Sequence, residues 1–196
     1  GPPRPYTLAE AQDAGWRWRI PLQHRTGNGH VFASEFMSDD EAEGVLTDYC
    51  RRIAPESPAP RRLSFRSAYR AQPWTANCLA IGQSAGFMEP LEASAIVMIE
   101  LSLDALLDDF PVDRAVMPIQ AQRFNALARY RWERIVDFLK LHYVLSQRDE
   151  PYWRAHRDPA PAAALPTHAA PSRTHAFGAT QVSRRGRPRR EAHHHP

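Results

Sequence analysis

Three stretches of this chain bring together residue types that can do chemistry. Residues 81–96 read Ile-Gly-Gln-Ser-Ala-Gly-Phe-Met-Glu-Pro-Leu-Glu-Ala-Ser-Ala-Ile. The small residues Gly82, Ser84, Ala85 and Gly86 let a ligand approach the backbone closely. The run continues into an apolar helix, whose first N–H groups lack intrahelical partners and sit at the positive end of the dipole. Ser94 and Ala95 fall in the first turns of that helix, so their amides can hold an anion. Glu89 and Glu92 have two readings. They are helix-start acids favoured by the dipole alone, or, if one is enclosed in a cleft, a general acid or base of raised pKa. The second stretch is Trp16-Arg17-Trp18-Arg19-Ile20-Pro21. Its aromatic side is a packing stripe or the wall beside a planar ligand. The third groups His142, Tyr143, Tyr152 and Trp153, as a core cap or as a stacking pocket for an aromatic substrate.

The elements that must position these residues follow from pattern. Thr7 and Glu10 have capping-box spacing, which predicts a helical turn ended by Gly15. Residues 16–24 alternate and read as a half-buried strand. Thr26-Gly27-Asn28-Gly29 is a hairpin turn signal, with a return strand from His30 to Phe36. Ser38-Asp39-Asp40-Glu41 opens a helix whose apolar side is Val45, Leu46, Tyr49 and Ile53. Residues 63–70 alternate as a strand, and Cys78 to Gly82 reads as a short buried strand. Pro90 is placed to open a helix through Leu107. A second long helix runs from about Asp113 to Gln147, with a break near Pro118. The order predicts an α+β fold in which a hairpin and strands pack with two long helices and the sheet is incomplete.

Composition narrows the classes. The chain has 196 residues, two cysteines and a net charge of +3, and no apolar run long enough to span a membrane. Cys50 and Cys78 make neither a disulfide framework nor a metal motif, so a reduced, cytoplasmic setting is expected and no metal site. The charge is uneven: residues 159–196 hold six Arg against one acid, with six Pro and nine Ala. That composition predicts a disordered Ala/Pro/Arg-rich tail beyond residue 158. Its arginines suit phosphate backbones, but it lacks interleaved aromatics, and nucleic acid is not the expected partner. There is no GxGxxG, Walker A or GxSxG pattern.

Gly15-Trp16-Arg17-Trp18-Arg19-Ile20-Pro21 resembles the WxWxIP signature of flavin-dependent tryptophan halogenases. Gly86-Phe87-Met88-Glu89-Pro90-Leu91-Glu92 resembles the GFLEPLES segment of that family, and His142-Tyr143 with Tyr152-Trp153 resembles its aromatic ending. The resemblance covers residues 6–158. It implies the C-terminal part of a flavin-monooxygenase-like, FAD-binding fold, and an enzyme that uses reduced FAD, oxygen and chloride or bromide to halogenate an indole-type aromatic. A flavin reductase would supply the reduced FAD, and a homodimer is left open. The resemblance implies that Glu92 is catalytic and that the Ser94 and Ala95 amides hold halide. Ala93 stands where the family usually has serine. Gly82, Ser84, Ala85 and Gly86 would lie along the flavin, and Trp16, Trp18, Ile20 and Pro21 would flank the tunnel. Tyr143, Tyr152 and Trp153 would meet the substrate, with Glu150 a weaker candidate. The family's glycine-rich FAD motif and its lysine would lie upstream of Gly1, so this segment alone is expected to be inactive. Two alternatives accompany that reading: an inactive remnant whose basic tail meets nucleic acid, and a flavin aromatic monooxygenase.

Overall fold

The structure is a computed structural model that describes residues 5–89 and 91–157, and the backbone of 174–181. Strands β1 (Leu8–Gln12), β2 (Gly15–Pro21) and β3 (Thr26–Ala33) form an antiparallel meander. Helix α1 (Asp39–Ile53) follows, then β4 (Arg61–Phe65). Three two-residue strands come next, β5 (Ala68–Tyr69), β6 (Trp74–Thr75) and β7 (Cys78–Leu79). A 3-10 turn, Gly82–Ser84, leads to β8 (Gly86–Phe87). Helices α2 (Ser94–Asp108), α3 (Met117–Val144) and α4 (Pro151–His156) precede β9 (Thr174–Gln181). The larger sheet has the order β1-β2-β3-β9-β4, and with the helices it gives the α+β composition expected from the pattern.

Several elements differ from expectation, each for a local reason. Leu8–Gln12 is a strand, not a helical turn. Glu10 lies opposite Arg17 in register and pairs with its guanidinium, so the carboxylate works across strands instead of capping. The β2–β3 hairpin turns at Leu22–Arg25, where the Leu22 N–H donates to the Arg25 carbonyl at 2.8 Å. Gly27 and Gly29 lie inside β3 opposite Ile20 and Trp18. Their lack of side chains makes room for bulky cross-strand partners and does not mark a turn. Cys78 is exposed, and the expected buried strand is only the two-residue β7. Helix α2 starts at Ser94, not at Pro90, and α3 runs unbroken with its proline in the first turn, where a missing N–H costs little.

Helix α1 starts where expected, but of its expected apolar side only Leu46 is buried, while Val45 and Tyr49 are half-buried and Ile53 is exposed. Ser38 caps it with a full capping box to Glu41, and Ala42, Leu46 and Cys50 are buried against Phe32. Arg17, on the same sheet face, lays its guanidinium 3.8 Å from the Tyr49 ring centroid. The opposite face buries Ala14 and Ala33 with Tyr143, Tyr152 and Trp153 from the ends of α3 and α4. A third cluster joins α3 to the β6–β7 hairpin through Trp74, Ala121, Phe124 and Ala128. There the Asn125 amide brackets the Trp74 backbone, accepting from its N–H and donating to its carbonyl, both at 2.8 Å.

Strand β9 lies within the segment expected to be disordered. Its backbone pairs antiparallel with both β3 and β4 and joins them in one sheet. The composition of residues 159–196 as a whole conceals this stretch, Thr-His-Ala-Phe-Gly-Ala-Thr-Gln, which holds no proline and no charged residue. The rest of that segment, with its Arg-rich and His-rich parts, lies outside the described residues.

Candidate functional site

The candidate site forms where the segment before α2, the end of α3, strand β2 and α4 converge. Tyr143 is its centre. Its phenol oxygen accepts the Trp16 indole N–H at 3.1 Å and the Tyr152 O–H at 3.1 Å, and its own O–H donates to the Glu89 carboxylate. Each of the three stretches singled out in the sequence supplies a partner to this one oxygen.

Electrostatics follow from enclosure. Glu89 as a residue is half-buried, but its carboxyl is turned onto Tyr143 and desolvated there. Desolvation raises its pKa, and the Tyr143 hydrogen bond and the nearby His142 oppose that rise. Tyr143 and Tyr152 are both held above the usual phenol range, mainly by burial and then by the Glu89 charge. The phenols therefore stay protonated and act as hydrogen-bond donors.

Glu92 stands apart from this enclosed group. It is exposed, and its carboxylate reaches the Nε2 of His142 at 3.3 Å. The other ring nitrogen of His142, Nδ1, lies 3.2 Å from the Phe138 carbonyl, an acceptor that requires a proton on Nδ1. Nε2 is the ring atom that faces Glu92. Adjacent residues at the end of α3, His142 and Tyr143, thus each engage one of the two glutamates that flank Pro90-Leu91.

The N-terminus of α2 begins two residues after Glu92. Ala93 is its cap residue at φ +25°, in the left-handed region that non-glycine residues seldom enter, and no side chain caps the helix. Ser94 and Ala95 are the first helical residues, so their amides point out of the helix end.

The small-residue run divides in two. Gly82 adopts φ +65° and opens the 3-10 turn, and Gln83 and Ser84 are exposed. The Ser84 hydroxyl donates to the Ile81 carbonyl at 2.8 Å, and its own carbonyl takes Arg70 Nε at 2.6 Å. Ala85 is buried. A Cβ at Gly86 would come within 2.7 Å of both Trp132 Cζ2 and Tyr69 Cβ, so that glycine admits the stacked Tyr69–Trp132 ring pair.

The aromatic residues are mostly enclosed. Trp153 is 1% exposed, and Tyr143 and Tyr152 are 4% exposed. The Trp153 indole N–H donates to the Gln12 carbonyl at 2.8 Å, and its ring meets Trp16 edge-on at 5.1 Å. Trp16 and Trp18 are half-buried, as is Pro21, and Ile20 is exposed. Trp18 makes no hydrogen bond through its buried Nε1. Glu150 stands at the N-cap position of α4 without a side-chain capping hydrogen bond and is engaged by Arg148, which also reaches Asp13 at 3.2 Å.

Sequence reasoning named Glu89, His142 and Tyr143 but did not pair them. The pairing depends on how α3 is rotated against the chain before α2, which no local pattern encodes. Helix α4 was also missed, although Pro151 at its first turn is a legible start signal.

Of the residues expected along a flavin, Ser84 is exposed and Gly82 half-buried, whereas Ala85 is buried and a Cβ at Gly86 would meet core groups.

A family model described as tryptophan halogenase matches residues 1–182, extending beyond residue 158 and through β9. Tryptophan 7-halogenase RebH of Lentzea aerocolonigenes is 35% identical over 157 residues, 79% of this chain and 29% of the relative. Tryptophan 7-halogenase KtzQ of Kutzneria sp. is 40% identical over 77% of this chain and 28% of its own length. A tryptophan halogenase structure from Shewanella frigidimarina superposes with a TM-score of 0.75 at 41% identity, covering 81% of this chain and 31% of that one. The chain thus spans under a third of the length of the relatives it matches.

Proposed function

Since this chain belongs to the tryptophan halogenase family, we propose that its Glu92 serves an enzyme that halogenates an indole-type aromatic. Reduced FAD, when bound, supplies the electrons by which oxygen is activated to oxidise chloride or bromide. The chain's own residues do the rest. The Ser94 and Ala95 amides, at an uncapped helix end, hold the halide. Glu92 orients the halogenating species or takes the proton released when halogen replaces hydrogen on the ring. Gly82 and Ser84 border the flavin. Trp16 and Trp18 flank the route between halide and substrate, with Ile20 and Pro21 continuing that wall. Tyr152 and Trp153 are enclosed behind Trp16 and support that wall from within. A flavin reductase is the partner that supplies reduced FAD, and a cytoplasmic setting accords with the free Cys50 and Cys78.

The observation that carries this reading is the exposed Glu92 carboxylate, held by His142 immediately before the open N-terminus of α2. The test places this segment in the frame of a full-length relative. With FAD, reductase and bromide present, Glu92→Gln should lower bromination of an indole by about 10²-fold or more while FAD binding is unchanged. Unchanged turnover refutes the role of Glu92. A hydroxylated product formed in the presence of bromide assigns the protein to aromatic monooxygenation instead.

A further inference from the structure

We propose that Glu89 and Tyr143 are a positioning pair, in which one phenol oxygen fixes Trp16 and Tyr152 and, through the adjoining His142, the carboxylate of Glu92. The last part rests on the reading of Glu92 given above; the first part does not.

The geometry requires little else. A phenol oxygen has two acceptor sites and one donor, and those of Tyr143 are all used, by Trp16, Tyr152 and Glu89. Tyr143 is therefore not free to hydrogen-bond a substrate, and it serves by orienting its neighbours. Its three partners come from β2, α4 and the segment before α2. Fixing that oxygen fixes the rotation of the last turn of α3 against all of them. His142 is the next residue on that turn, and its ring also meets Trp16 edge-on at 6.4 Å. Any rotation that breaks the Tyr143 contacts would carry the His142 Nε2 away from Glu92.

Glu89 supplies the acceptor that sets the direction of the Tyr143 O–H. Without it, the hydroxyl could turn and compete with Tyr152 or Trp16 for its own lone pairs. Desolvation favours the neutral carboxyl at this position. An amide offers the same carbonyl acceptor, whereas a methyl offers none.

The test uses the 196-residue chain and reads the indole N–H of two tryptophans by nitrogen-resolved NMR and hydrogen exchange. Trp16 donates to Tyr143, whereas Trp153 donates to the Gln12 carbonyl and is the internal control. In Tyr143→Phe, the Trp16 N–H should exchange about tenfold faster or more, as expected on losing an ordinary hydrogen bond. Trp153 should be unchanged, and the His142 ring resonances should shift. Glu89→Gln should leave both indoles protected, and Glu89→Ala should expose Trp16 selectively. Unchanged protection of Trp16 in Tyr143→Phe overturns the proposal. Equal loss at both tryptophans also overturns it, because Tyr143 is then a core residue without a separable positioning role. An unmoved His142 resonance with Trp16 exposed overturns the link to Glu92 alone. None of these readouts requires halogenation, so failure of the enzymatic reading is seen separately.

Discussion

Gly86→Ala separates two explanations of the same small residue. If Gly86 is small so that a flavin can approach, alanine should leave the ligand-free chain unperturbed. If it is small because the core has no room, alanine should destabilise that chain. A Cβ built there falls 2.7 Å from Trp132 Cζ2, 2.7 Å from Tyr69 Cβ and 3.0 Å from Trp132 Cε2. Ordinary carbon contacts lie at about 3.5–4.0 Å, so the new methyl is roughly 1 Å too close on two sides. Tyr69 Cβ is tied to the backbone of β5 and cannot yield by a rotamer change. The Trp132 ring is 3% exposed as a residue and stacked on Tyr69 at 5.8 Å, so it moves only by disturbing that pair. Overpacking of this kind costs about 1–3 kcal/mol. Urea denaturation of the ligand-free chain should show the midpoint falling by about 1 M for a slope of 1–3 kcal/mol/M. Trp132→Phe removes Cζ2 and Cε2 but leaves Tyr69, so the double variant should be less destabilised than the sum of the singles. Equal stability of Gly86→Ala and the parent chain, or strict additivity with Trp132→Phe, would refute the packing argument.

Four further outcomes are expected. Ser38→Ala removes the capping box of α1 and should cost about 1 kcal/mol, read by thermal or urea unfolding. Asn125→Ala leaves the Trp74 N–H and carbonyl without their partner and should cost about 1–3 kcal/mol in the same measurement. Glu89, whose folded pKa is raised above its ordinary 4.5 by burial, contributes stability that is full below that value and is lost as pH rises through the folded pKa. Stability-versus-pH curves should therefore show a decline above about pH 4.5 that Glu89→Gln abolishes. His30 has the opposite sign: burial lowers its pKa below 6.5, so its contribution is present above that value and is lost on acidification. His30→Gln should flatten that acid limb, and an unchanged slope would refute the assignment.

Much of the architecture was legible because it depends on local chemistry. The Ser38–Glu41 capping box, the alternation of Trp16 to Ile20 and the apolar period of α3 each need only neighbours in sequence. The motif resemblance likewise needed only residue identities in order, and it placed the chain in the family whose model matches residues 1–182. Local signals failed where a residue had two competing uses. Glu10 fits a helix cap but pairs with Arg17, because β2 runs beside it and offers a charge. Gly27 and Gly29 fit a turn but lie across from bulky strand residues. The strand Thr174–Gln181 was hidden by averaging over a proline-rich segment, and its pairing is decided by a place between β3 and β4 that only the assembled sheet has.

The sequence by itself determined the family, the α+β composition and the residues worth attention: Trp16, Glu89, Glu92, Tyr143, Tyr152 and Trp153. The tertiary structure decided what each one touches. It enclosed Tyr143 with all three of its hydrogen-bonding positions used, left Glu92 exposed on His142, and turned Gly86 toward Trp132 instead of outward. The physical reason is that hydrogen-bond saturation and close packing are properties of groups brought together from distant segments. Residue type and spacing specify which groups can interact, and only the rotation of α3 against the sheet and the α2 segment selects which pairs do.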